Sequence, residues 1–147
     1  MTSSIRLMAL VFFLALGTAY AEIAPGEYAK MREAATEKLI VEVTGVSKKA
    51  SDRADWSETT VKAKVLHAEA SNSNLKPGQE IEIRFKAFDF EKGKMTPGVW
   101  PNRILKIGEV VPAYLNWDKI GKCYSPAAHG ESFVLTQGAE RSTLISK

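Results

Sequence analysis

Apolar positions along the chain change their period near residue 39. Before it, Tyr28, Met31, Ala35 and Leu39 recur every three to four residues, the spacing that puts side chains on one face of a helix. A short helix is expected over Pro25 to Lys38, with Pro25 suited to a first helical turn. After it, the period is two. Leu39 to Val46 reads as a strand, and the polar run Ser47 to Glu58 reads as a loop. In Thr59 to Ala70, Val61, Ala63 and Val65 alternate with lysines, and then Leu66, Ala68 and Ala70 alternate with His67 and Glu69. A one-residue change of phase inside a strand is the mark of a β-bulge. Ile81, Ile83, Phe85 and Ala87 alternate with charged residues and predict a strand with one wet face.

Turn residues separate these runs. Pro77-Gly78 fits the central positions of a type II turn. Phe88 to Arg103 is long, irregular and rich in Gly and Pro. Ile104 to Trp117 predicts another strand, with Pro112 arguing for an edge or a bulge. Lys122 to Tyr124 and Ser132 to Thr136 predict two short ones, and Gly138 to Lys147 a loose tail. One pattern occurs twice: Leu75-Lys76-Pro77-Gly78-Gln79 and Leu105-Lys106-Ile107-Gly108-Glu109 each place a turn before a strand, which reads as shared turn chemistry. The whole predicts an all-β fold, a small closed or half-closed barrel of five to six strands over residues 39–137, preceded by a short helix or lead-in at 22–38.

Several of these units together resemble a known group. The Leu75–Phe85 unit, the Leu105-Lys106-Ile107-Gly108-Glu109 turn leading to Ala113-Tyr114-Leu115, Gly121-Lys122-Cys123-Tyr124 and Gly130-Glu131-Ser132-Phe133-Val134 are similar to small exported OB-fold domains of the netrin/TIMP-like type. The resemblance spans Leu39 to Leu135 and rests on turn-plus-strand patterns. Metalloprotease inhibitors of that group begin with a disulfide-bonded cysteine whose amine reaches a metal. This chain has no cysteine there, so the resemblance implies the fold and not that inhibition.

The N-terminus adds a compartment. Arg6, the apolar run Leu7 to Leu16 and the small residues Ala19 and Ala21 have the layout of a secretory signal over residues 1–21, with cleavage expected after Ala21. The apolar run is well short of the about 20 residues that span a bilayer, so no membrane span is expected in the mature chain. The expected location is the periplasm or outside the cell. Lys and Arg number 20 against 17 Asp and Glu, and the charges are interspersed, so neither nucleic acid nor an anionic membrane is demanded as a partner.

Cys123 is the only cysteine and cannot form an internal disulfide. Three constellations could carry chemistry. Cys123, His129 and His67 offer soft ligands for copper or zinc, although a blue-copper site usually adds a Met and none follows Cys123. The same thiol and imidazole could form a nucleophile–base pair, with Asp118 or Glu131 orienting the base. The Phe88–Arg103 segment interleaves aromatics with cations, and there Phe90, Trp100 and Arg103 are the candidate ligand contacts, by stacking and by charge-assisted hydrogen bonds. The competing reading makes those aromatics a barrel plug. Ser73-Asn74-Leu75-Lys76 matches Ser-x-x-Lys by chance, in a turn. No catalytic set converges in the sequence. The reading is a non-enzymatic exported module, without a cofactor, that contacts a protein, peptide or glycan of the cell envelope. A copper- or zinc-binding protein and a structural part of an envelope assembly are the alternatives.

Overall fold

A computed structural model describes residues 23–52, 56–88 and 104–134. A helix, α1 (Pro25–Glu33), is followed by β1 (Glu37–Ala50), β2 (Trp56–Ser71), β3 (Glu80–Phe88), β4 (Val110–Asp118), β5 (Cys123–Pro126) and a 3-10 turn at His129–Phe133. The strands close into one OB-like barrel in the order β1-β2-β3-β5-β4. All pairings are antiparallel except β3 with β5, which is parallel. Closure removes most of the free strand edges that an open sheet would expose.

Alternation explains the core. Leu39, Val41 and Val43 on β1, Val61, Ala63 and Val65 on β2, Ile81 and Ile83 on β3, and Val111, Ala113 and Leu115 on β4 all point inward and are buried. Phe133 plugs the barrel from the 3-10 turn, with its ring 6.0 Å from that of Phe85.

The phase change in β2 is a bulge. Val41 pairs with Val65 and Ile40 with His67, so Leu66 is the extra residue. A second bulge leaves Thr44 unpaired on β1, between Val43 opposite Ala63 and Gly45 opposite Lys62. The two look-alike turns dock at these bulges by the same bonds. Gly78 N–H donates to the Val65 carbonyl (2.8 Å) and Val65 N–H to that of Gln79 (2.8 Å). Gly108 N–H donates to the Val43 carbonyl (2.8 Å) and Val43 N–H to that of Glu109 (2.9 Å). The side chain that follows each glycine folds back. Gln79 Oε1 accepts from Lys76 N–H at 2.6 Å and Glu109 Oε2 from Lys106 N–H at 3.1 Å. Gly78 and Gly108 have φ of 90° and 82°, the left-handed region that such a turn needs at its third position.

Four expectations are corrected. The helix stops at Glu33 instead of Lys38, because Glu37 and Lys38 are taken into β1 opposite Ser71 and Ala70. The expected 47–58 loop is largely strand: Ser47 to Ala50 pair with Thr60 to Ser57, which pair in turn with Arg84 to Ala87 of β3, so backbone bonds on both sides of β2 hold a segment with no apolar period. The strand expected from Ile104 begins only at Val110, since 104–109 form the second turn, with Leu105 buried in the core. Ser132 and Phe133, expected in a last strand, lie in the 3-10 turn. Pro112 does sit on a local edge: β4 pairs with β1 there, and with β5 only from Leu115 onward.

The ends are tied down by polar groups. Glu37 is fully buried, and its carboxylate accepts from Ser71 Oγ, Ser73 N–H (3.0 Å) and Ser73 Oγ (2.8 Å). Arg32 carries α1 onto the 3-10 turn, pairing with Glu131 at 3.0 Å and lying 6.0 Å from the Tyr114 ring centroid. Tyr28 and Ala35 of the expected apolar face are buried beside it.

Candidate functional site

Strands β3 and β5 are parallel neighbours at one register position, Ile83 opposite Tyr124. Beyond Ile83, β3 runs on to Phe88, paired with β2. Before Cys123, the chain turns back through 119–122 to β4, with Asp118 opposite Cys123. The two strands therefore part, and an open cleft of about 280 Å³ lies between them.

Its walls come from three places. Glu58, Thr59 and Thr60 stand on β2, and their register partners Lys86, Phe85 and Arg84 stand on β3. The opposite wall is the β4–β5 hairpin, with Asp118, Gly121, Cys123 and Ser125. Gly121 keeps that wall low. A Cβ there would meet Asp118 Oδ2 at 2.7 Å and Cys123 Sγ at 3.0 Å. Asp118 is held, since its Oδ1 accepts from Ile120 N–H at 2.9 Å. Trp117 and Tyr124 stack edge to face behind this wall, centroids 4.9 Å apart, and Ile120 at the hairpin tip is 96% exposed.

The charges are mixed. Arg84 pairs with Glu82 at 2.5 Å, which raises its pKa, and Lys86 reaches Asp52 at 3.5 Å. The Asp52 carboxyl is held below its ordinary value by a hydrogen bond from Ser51 and by the Lys86 charge. Burial pushes the Cys123 thiol above its ordinary pKa. Asp118 and Glu82 push the same way, against the opposing pull of Arg84. Thr59 is buried, and among the described residues its hydroxyl has no hydrogen-bond partner.

The candidates from the sequence are placed unevenly. Phe90, Trp100 and Arg103 lie outside the described residues; the chain enters that segment from Phe88, two residues past Lys86 of the cleft. Cys123 is buried in the cleft wall, but neither imidazole lines that cleft. His129 is exposed at the start of the 3-10 turn, with φ 50°. His67 is exposed on β2 opposite Ile40, seven residues beyond Thr60 and hence roughly 20 Å along the strand. Among the described residues no three His, Cys, Asp or Glu side chains are grouped to hold a metal ion, copper or zinc included. Glu131 faces Arg32, and the carboxylate beside Cys123 is that of Asp118. Thr59, Arg84, Lys86 and Gly121 went unmarked in the sequence. No local pattern marks them, because the strands that bring them together are far apart in the chain.

Comparison with models of protein families, with curated proteins and with solved structures finds no match to this chain. Among the described residues no helix is long and apolar enough to cross a membrane.

Proposed function

We propose that this chain is an exported, non-enzymatic binding module that offers the β2–β3/β4–β5 cleft to a protein, peptide or glycan of the cell envelope. The observation that carries this reading is one of position. The cleft opens on the strands and loop that OB-type barrels use for ligands, and it combines cations, carboxylates, hydroxyls and one aromatic ring. The signal layout of residues 1–21 supports export. The netrin/TIMP-like resemblance supports the barrel alone and carries no activity with it. Burial holds the Cys123 thiol protonated at neutral pH, which argues against its use as a nucleophile.

Two measurements test this. Expression of the full chain in a bacterium should yield an exported product whose mass begins at Glu22; retention of the uncut chain in the cytoplasm overturns the export half. Glycan and peptide arrays, followed by amide NMR titration of the best binder, should shift Thr60, Arg84, Lys86 and Ser125. Binders that shift other surfaces only, or no binder at all, overturn the cleft as the site.

A further inference from the structure

Two turns of this barrel are built alike, and one serves as a control for the other. Leu75 to Glu80 and Leu105 to Val110 dock by the same backbone bonds, on Val65 and on Val43. Each sets one leucine against the core, Leu75 in part and Leu105 at 5% exposure. The remaining places differ. Where the first turn has Asn74, Pro77 and Glu80, the second has Ile104, Ile107 and Val110, and these are 62%, 68% and 43% exposed. Pro is favoured at the second position of such a turn, so turn chemistry does not call for Ile107. The core takes Leu105 from this segment and leaves three aliphatic side chains in the open. We propose that the turn from Ile104 to Val110 is a membrane-contact site, which inserts Ile104, Ile107 and Val110 into the interface of an anionic bilayer. This site is separate from the cleft and does not depend on it.

Size, shape and charge select the occupant. Three part-exposed aliphatic side chains cover far less than the about 800 Å² per partner that a stable protein interface buries, so a second copy of the chain is poorly served. They also lack the aromatic and arginine anchors that concentrate energy in protein interfaces. The turn stands clear of its surroundings: no atom lies within 4 Å of the place a Cβ on Gly108 would take. A small protruding aliphatic tip needs a medium that adapts to its shape. The boundary between headgroups and acyl chains is such a medium, and affinity for it grows with apolar area and with attraction to anionic lipid. Charge agrees. Lys106 is exposed between the two isoleucines, whereas Glu109 turns its carboxylate back to accept from Lys106 N–H at 3.1 Å. Glu42 on β1, opposite Val110, has Lys64 opposite it on β2. A cation set beside inserted aliphatic side chains is what anionic headgroups attract. Export, as proposed above, sets the chain beside such a surface.

The test uses the chain from Glu22 and co-sedimentation with large vesicles at low salt. Vesicles of phosphatidylethanolamine with phosphatidylglycerol should carry the protein down, and phosphatidylcholine alone should carry less. The decisive variant is Ile104→Asn/Ile107→Pro, which writes the first turn's residues into the second. Partition should fall tenfold or more, with the thermal midpoint not lowered, since the first turn is built with both residues. Lys106→Gln should weaken binding to the anionic vesicles and leave the phosphatidylcholine baseline unchanged. Failure of the parent chain to bind the anionic vesicles overturns the proposal, as does undiminished binding by the double variant. A lowered midpoint in the double variant makes the isoleucines part of the fold and overturns it too. Self-association of the parent that the variant loses, without vesicle binding, assigns the patch to a second copy and overturns the bilayer. Cleft ligands should bind the double variant as they bind the parent, so failure here and failure of the cleft are read separately.

Discussion

Thr59 occupies an inward position between Ser57 and Val61, and the barrel buries its hydroxyl without a partner among the described residues. Such a group costs about 1–3 kcal/mol relative to an apolar side chain of the same shape. Thr59→Val should therefore raise stability by about 1 kcal/mol, read as a higher urea midpoint with an unchanged slope. Cys123 makes the complementary case for pH. Burial raises its pKa, so alkylation by iodoacetamide should be slow at neutrality and reach half its limiting rate at a pH above that of a free thiol. Arg84→Ala should move that midpoint further up and Asp118→Asn should move it down, since the first removes an opposing charge and the second a reinforcing one. The sign for stability follows. The folded state holds this proton more tightly than the unfolded chain, so the contribution is full below the ordinary thiol pKa. It is lost as pH rises from there through the raised value.

Elements in this barrel are joined by two copies of one turn and by one ion pair. Gly78 and Gly108 hold positive φ with open space around them, so alanine at either meets backbone strain and no clash. Each substitution should cost about 1 kcal/mol, whereas Gly26→Ala, inside α1 and equally unobstructed, should be neutral or slightly stabilising. Thermal denaturation of the three variants side by side separates strain from bulk. The helix depends on Arg32 to hold it to the 3-10 turn. Arg32 is 14% exposed and its partner Glu131 38%, so the pair is partly screened, and Arg32→Ala should cost about 1 kcal/mol. Its signature is local: faster amide exchange through Pro25–Glu33, with exchange in the β1–β2 ladder unchanged.

For the whole molecule, closure converges on Ile83. It is fully buried and is the residue at which β3 meets β5, so it contributes both to core packing and to the point where the cleft begins. Ile83→Ala should cost about 2–5 kcal/mol and lower the unfolding midpoint more than any of the substitutions above. The barrel draws on this core with no internal disulfide, since Cys123 stands alone in the chain.

Local pattern determined much of this protein by itself. Side-chain alternation marked β2, β3 and the inward residues, because period two and burial are the same fact in a half-wet sheet. The phase flip located the bulge at Leu66, and the repeated Leu-Lys-x-Gly motif identified two turns that prove to dock alike. A small barrel of five or six strands was legible from strand number and turn spacing, and the structure closes it with five, in an order that the sequence did not give. Tertiary structure alone decided the rest. The 47–58 segment is held by backbone bonds between residues with no apolar period to read. Ser132 and Phe133 carry a strand-like pattern but serve as a plug, because the barrel leaves a hole that Phe133 fills. The cleft is where two strands part, and it brings Asp118 and Cys123 against residues 32 to 65 positions earlier in the chain. A separation of that size leaves no trace in local spacing, and so the site appears only once the chain is folded.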